Sequence, residues 1–112
     1  MNGGDGSDFI SADNSSGDNV LNGGNDDDEF AIVDSTGNNV LNGGDGQDIV
    51  DAFFSSGDNI LNCGNGDDLL FATNSFGNNV LNGDAGDDTL DVFFSEGNNC
   101  LLYTSPSPRD RG

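Results

Sequence analysis

The chain repeats a unit of twenty residues about five times. A short fixed period of this kind specifies a solenoid, in which each unit stacks on its neighbour and buries an apolar face that it cannot bury alone. Each copy carries a glycine–aspartate segment of the form GGxGxDxUx, where U is a large apolar residue. The most regular copy reads Gly43-Gly44-Asp45-Gly46-Gln47-Asp48-Ile49-Val50-Asp51.

Aligning the copies divides each unit into nine, two and nine residues. The first nine are an Asp turn with a short strand: Gly3 to Ser11, Gly23 to Ala31, Gly43 to Asp51, Cys63 to Phe71 and Gly83 to Asp91. Two residues extend that strand, and the second nine carry Ser-x-Gly-x-Asn-x-Leu, as in Ser55-Ser56-Gly57-Asp58-Asn59-Ile60-Leu61. Glycine supplies the left-handed backbone that tight turns need. Strand alternation then points Ile10, Phe30, Val50, Leu70 and Leu90 inward from one side, and Leu21, Leu41, Leu61, Leu81 and Leu101 from the other. Ala12, Ile32, Ala52, Ala72 and Val92 share the inward face. The expected fold is all-β, a parallel β-roll of two sheets with about five 20-residue coils. Stacked at about 4.8 Å per rung, the coils would span roughly 24 Å.

This stacking sets the chemistry. Asp8, Asp28, Asp48, Asp68 and Asp88 fall one rung apart. Like charges at ~5 Å repel by about 1 kcal/mol in water and several-fold more near a protein surface, so the row opposes folding unless a cation neutralises it. Calcium, a hard ion that takes carboxylate and carbonyl oxygens, suits such a row. Zinc does not, because the chain has no histidine and its two cysteines are not clustered. Magnesium demands a stricter octahedron. On the other edge Asn19, Asn39, Asn59, Asn79 and Asn99 replace Asp, and amides can stack as a hydrogen-bonded ladder without metal. Asn22, Asn42, Asn62 and Asn82 form a second such row. Calcium is therefore expected on the Asp edge only.

Composition excludes several functions. The chain holds 21 acids and two bases, and both bases, Arg109 and Arg111, lie in the last ten positions. Nucleic acid is excluded as a partner for want of cations, and an anionic membrane surface is disfavoured. No apolar run reaches membrane-spanning length, so no membrane insertion is expected. Met1 runs directly into repeat sequence, so no signal peptide is expected within these residues. The lack of histidine argues against nucleophile–base catalysis. No EF-hand is expected, since Asp26-Asp27-Asp28 lacks the loop glycine, and no phosphate loop, since no Lys follows the glycines. Cys63 stands where other copies have Gly, and Cys100 where they have Val or Ile; both read as substitutions within the repeat. So acidic a chain is expected to be loose without metal and ordered with it.

The segment GGDGQDIV (43–50), recurring in register over residues 1–102, resembles the repeats-in-toxin (RTX) calcium-binding nonapeptide. The resemblance implies a parallel β-roll with Ca2+ held between successive turns by Asp side chains and backbone carbonyls. Carried over, the carboxylate ligands are Asp8, Asp28, Asp48, Asp68 and Asp88. The turn residues of the site are Gly3 and Asp5, Gly23 and Asn25, then Gly43, Gly44, Asp45 and Gly46, then Gly64, Asn65 and Gly66, and finally Gly83 and Gly86. The pattern is broken by Asp26, Cys63 and Asp84-Ala85, and the unit is twenty residues rather than the family's eighteen. The resemblance also implies an extracellular, secreted protein that folds after export, although the export signal of the family is not recognisable here.

Residues 1–102 form the calcium-binding repeat region; at 103–112 the sequence shifts abruptly to YTSPSPRDRG. That stretch is expected to be disordered, and it reads as a native linker or C-terminal tail or, as the abruptness favours, as a non-native join. The repeats look like part of a longer array, with neighbouring repeats as partners. Apolar residues point outward at Val20, Val40, Ile60 and Val80, and on the opposite face at Phe9, Ile49 and Leu69 with Phe53 and Phe93 nearby, which suggests lateral self-association. The expected function is a non-catalytic calcium-ordered folding module; the alternative is an adhesin or surface-binding solenoid that uses those outer faces.

Overall fold

A computed structural model describes residues 1–92 and 95–103. Among these, eleven strands run in chain order: β1 (Asn2–Gly4), β2 (Phe9–Ser11), β3 (Val20–Gly24), β4 (Glu29–Val33), β5 (Val40–Asp45), β6 (Ile49–Phe53), β7 (Ile60–Asn65), β8 (Leu69–Thr73), β9 (Val80–Asp84), β10 (Thr89–Asp91) and β11 (Cys100–Tyr103). Odd-numbered strands form one sheet in the order β1-β3-β5-β7-β9-β11, and even-numbered strands form the other, β10-β8-β6-β4-β2. All pairings are parallel and join residues twenty apart, such as Leu41 to Leu61 and Val50 to Leu70, except that the register shifts at the end of β11, where Tyr103 pairs with Asp84. The chain is a two-sheet β-solenoid with one strand of each sheet per coil.

Between the sheets lies a single core cluster of Leu21, Leu41, Leu61 and Leu81 facing Ile10, Phe30, Val50, Leu70 and Leu90, with the small residues at 12, 52 and 72 and Ile32 beside them. Leu101 and Val92 pack against it only partly buried. A buried Leu, Val, Ile or Phe contributes about 1.5–3 kcal/mol, and a coil offers only two or three such residues, so the roll is stable only as a stack. The expected outward rows do point out: Phe9, Val20, Ile49, Ile60 and Leu69 are exposed, and Val40, Val80 and Phe53 half-exposed. Phe93 lies outside the described residues, as does the expected tail beyond Tyr103.

The structure corrects one boundary. The first glycine pair of each Asp segment was expected in a turn, yet Gly23-Gly24 close β3 and Gly43-Gly44 lie within β5. The turn proper is shorter and opens one or two residues later. Gly43 adopts no left-handed backbone, whereas Gly44 (φ 105°) and Gly46 (φ 121°) do. Where the sequence breaks the glycine pattern, the fold keeps the backbone: Asp26 takes φ 76° and Asp84 takes φ 63°.

Serine fills a role that the repeat pattern left unexplained. The Ser35, Ser55, Ser75 and Ser95 hydroxyls donate back to the carbonyls of Ala12, Ile32, Ala52 and Ala72, each 23 positions earlier. These bonds tie the turn of one coil to the strand of the coil before it.

Candidate metal centre

The two edges of the roll share one backbone scheme. On the Asn edge, the Asn39 N–H donates to Oδ1 of Asn59 at 3.0 Å, and its side-chain Nδ2 donates to the same oxygen at 3.0 Å and to the Gly37 carbonyl at 3.0 Å. Asn19, Asn59 and Asn79 repeat the arrangement. The amide ladder therefore forms and satisfies itself. In the second row Asn22, Asn42 and Asn62 each donate Nδ2 to the Oδ1 of the preceding coil's Asn, whereas Oδ1 of Asn82, expected in the same row, is buried without a partner.

On the Asp edge the backbone half of the scheme is intact. The N–H groups of Asp8, Asp28, Asp48 and Asp68 donate to Oδ1 of the next coil's Asp at 2.8, 2.9, 2.7 and 3.0 Å. The side-chain half has no donor, because carboxylate replaces amide. As a result Oδ2 of all five residues, Asp8, Asp28, Asp48, Asp68 and Asp88, is buried without a hydrogen-bond partner. A buried, unpaired polar atom costs about 1–3 kcal/mol, and more when charged. Five in one row are left for a cation or a proton to satisfy.

The first glycine of each Asp segment shapes the space beside that oxygen. A Cβ added to Gly23 would lie closer than 3.0 Å to Asp28 Oδ2 and 2.7 Å from the Gly43 carbonyl oxygen. At Gly43 the same position meets Asp48 Oδ2 and the Cys63 carbonyl at 2.6 Å, and at Gly3 it meets Asp8 Oδ2 and the Gly23 carbonyl at 2.9 Å. Each glycine thus leaves room for a carboxylate oxygen and the next coil's carbonyl oxygen to converge on its Cα, a cradle that a side chain would close. Among the described residues, no three Asp, Glu or Cys side chains converge that could hold an ion. Any site here must combine carboxylate with backbone oxygen. An all-oxygen donor set with anionic charge fits calcium, and the residues of the first three coils fit it.

Electrostatics point the same way. Burial, then the neighbouring carboxylates Asp28, Asp27 and Asp45, push Asp48 up to about 6, against a lowering hydrogen bond from the Asp28 backbone. Asp68 is pushed up to about 7, by burial and then by Asp48, Asp88 and Asp67, again opposed by a backbone hydrogen bond from Asp48. Asp88 is raised chiefly by burial. A divalent cation would reverse these shifts by stabilising the charged form. A shallow cavity of about 280 Å³ lined by Asp27, Gln47, Asp48, Ile49, Asp67 and Leu69 opens beside the row at its middle.

The remaining site residues are placed less uniformly. The side chains of Asp5 and Asp45 are exposed and accept from Asn25 and Asn65 at 2.9 and 2.8 Å, forming an outer ladder away from the buried row. Gly64 and Asn65 turn their carbonyls to the N–H groups of Ala85 and Gly46. Gly66 and Gly86 hold left-handed backbone against the coil before them. The cradle itself was not foreseen in the sequence; its signal is a glycine five positions before each Asp, broken only at Cys63. That cysteine is fully buried within the core, as a substitution in the repeat should be.

Comparison with known proteins agrees with this geometry. The family model described as the RTX calcium-binding nonapeptide repeat (4 copies) matches residues 31–52, 55–74 and 75–92, more than half of the chain. Neither the curated proteins nor the solved structures contain a match to it.

Proposed function

The chain belongs to the RTX calcium-binding nonapeptide repeat family, and on that premise we propose that it is a folding module of a secreted protein, ordered by calcium along its Asp edge once outside the cell. The observation that supports this most strongly is the row of five buried Oδ2 atoms without partners. In this reading Asp8, Asp28, Asp48, Asp68 and Asp88 hold the ions together with carbonyls such as Gly23, Gly43 and Cys63. Bound calcium supplies the positive charge that allows these carboxylates to stay ionised in a buried row. The protein's own residues do the rest: Oδ1 is fixed by the N–H of the preceding coil, and glycine keeps the cradle open. The Asn edge needs no ion, because its amides donate where the Asp edge cannot. The role is structural rather than catalytic, and its partners are calcium and neighbouring repeats.

Circular dichroism with and without calcium tests the proposal. β-structure should be weak in excess chelator and develop on adding calcium. Complete β-structure in chelator would end the idea of a calcium-driven fold. A second reading, an adhesin, draws on the exposed Val20 and Ile60 row. Changing Val20, Val40, Ile60 and Val80 to Thr should abolish surface binding under that reading and leave calcium-dependent folding unaltered.

A further inference from the structure

The cradle is open in the first three coils, and the fourth departs from it. Cys63 takes in β7 the place that Gly43 takes in β5, since Asn42 pairs with Asn62 and Gly44 with Gly64. Its Cβ therefore stands where the glycines of coils one to three leave space for Asp Oδ2 and a carbonyl to converge. The side chain is fully buried, so it has not swung out to solvent. Asp68 Oδ2, the matching carboxylate oxygen, stays buried without a partner, so the thiol does not satisfy it. Pairing changes one residue further on: β5 and β7 pair at Gly44 with Gly64 and at Asp45 with Asn65, whereas between β7 and β9 the Gly64–Asp84 pair is missing and pairing resumes at Asn65 with Ala85.

We propose that Cys63 closes the calcium cradle of the fourth coil, so that the row of ions along the Asp edge has a gap at Asp68. The proposal rests on the calcium reading above. Sulfur does not restore the missing ligand, because calcium takes oxygen donors. The effect is local. The Cys63 carbonyl oxygen still lies beside Gly43, 2.6 Å from where a Cβ would stand there, so the third coil keeps its donors. The gap leaves Asp68 without a counter-ion and sets Asp88 apart from the first three coils.

Calcium titration calorimetry on the whole chain tests this, with three proteins compared under conditions where circular dichroism shows equal β-structure in excess calcium. Cys63→Gly should bind one more calcium per chain than wild type. Cys63→Ala should match wild type, because it keeps the Cβ and loses only the sulfur. The inference is overturned if wild type binds calcium and Cys63→Gly leaves the stoichiometry unchanged, or if Cys63→Ala gains the extra ion. A wild-type chain that takes up no calcium would instead remove the reading on which the inference rests.

Discussion

The backbone N–H of Asp28 donates to Oδ1 of Asp48 at 2.9 Å, while Oδ2 of that same Asp48 carboxylate is buried with no partner. On the opposite edge Asn39 meets Asn59 through the same backbone contact, and the amide of Asn39 completes the set. The two edges thus differ in one atom type per rung, nitrogen against oxygen. That difference separates an edge that closes on its own hydrogen bonds from one that needs a cation or a proton.

Asp48→Asn should act in opposite directions with and without calcium. The new amide supplies the missing donor, so the metal-free roll should gain about 1–3 kcal/mol. Calcium affinity should fall, because a ligand charge is lost. β-structure in chelator, read by circular dichroism, and calcium titration measure the two effects. Unchanged calcium affinity would show that Asp48 is not a ligand.

Asn59→Asp is the converse. It removes the Nδ2 bonds to the Gly57 carbonyl at 3.0 Å and to Asn79 Oδ1 at 3.1 Å, and it buries a charge in their place. In excess calcium, where the roll is folded, the loss should be about 1–3 kcal/mol or more. A melt indistinguishable from wild type would mean that the ladder contributes nothing to stability.

The metal-free roll should be more stable in mild acid. Asp48 and Asp68 titrate at about 6 and about 7 in the fold, against an ordinary 3.8. Between those values the folded state holds more protons than the unfolded state, so stability falls as pH rises through the window. Asp51 and Asp88, both raised chiefly by burial, act in the same sense. In chelator, β-structure read by circular dichroism should be greater at about pH 5 than at about pH 7.5. A flat profile, or one that rises with pH, would contradict the buried row.

Phe54 sits at φ 54°, a backbone that its counterparts Asn14, Asp34 and Asn74 also adopt. Left-handed backbone suits Asn and Asp but strains a bulky residue, and the Phe54 side chain is 54% exposed, with little core packing to lose. Phe54→Asn should stabilise the roll by about 0.5–1 kcal/mol in calcium, read by thermal or urea unfolding. A destabilised variant would mean that the Phe53–Phe54 ring contact at 6.5 Å outweighs the strain.

Much of this fold was legible because the repeat is a physical instruction. A period of twenty residues places Leu21 under Leu41 and Asp28 under Asp48 whatever the details of the turns, and strand alternation then decides which residues face inward. The amide ladders could be foreseen for the same reason. Less legible was the first glycine of each segment. Sequence reasoning placed Gly43 in a turn because glycine usually serves turns, whereas it continues β5 and is required by close approach across coils. The serine bonds were likewise hidden, since Ser55 reaches a carbonyl 23 positions back and not its rung neighbour.

The sequence by itself determined the stack, its period, its apolar interior and the presence of one acidic and one amide edge, because each follows from what recurs every twenty residues. Only the tertiary structure decided which atom of each carboxylate is committed and which is left over. It also showed that the missing side chain at Gly23 and Gly43 lets Oδ2 and the next coil's carbonyl oxygen approach each other. Those facts depend on contacts between neighbouring coils, and no single copy of the repeat carries the information.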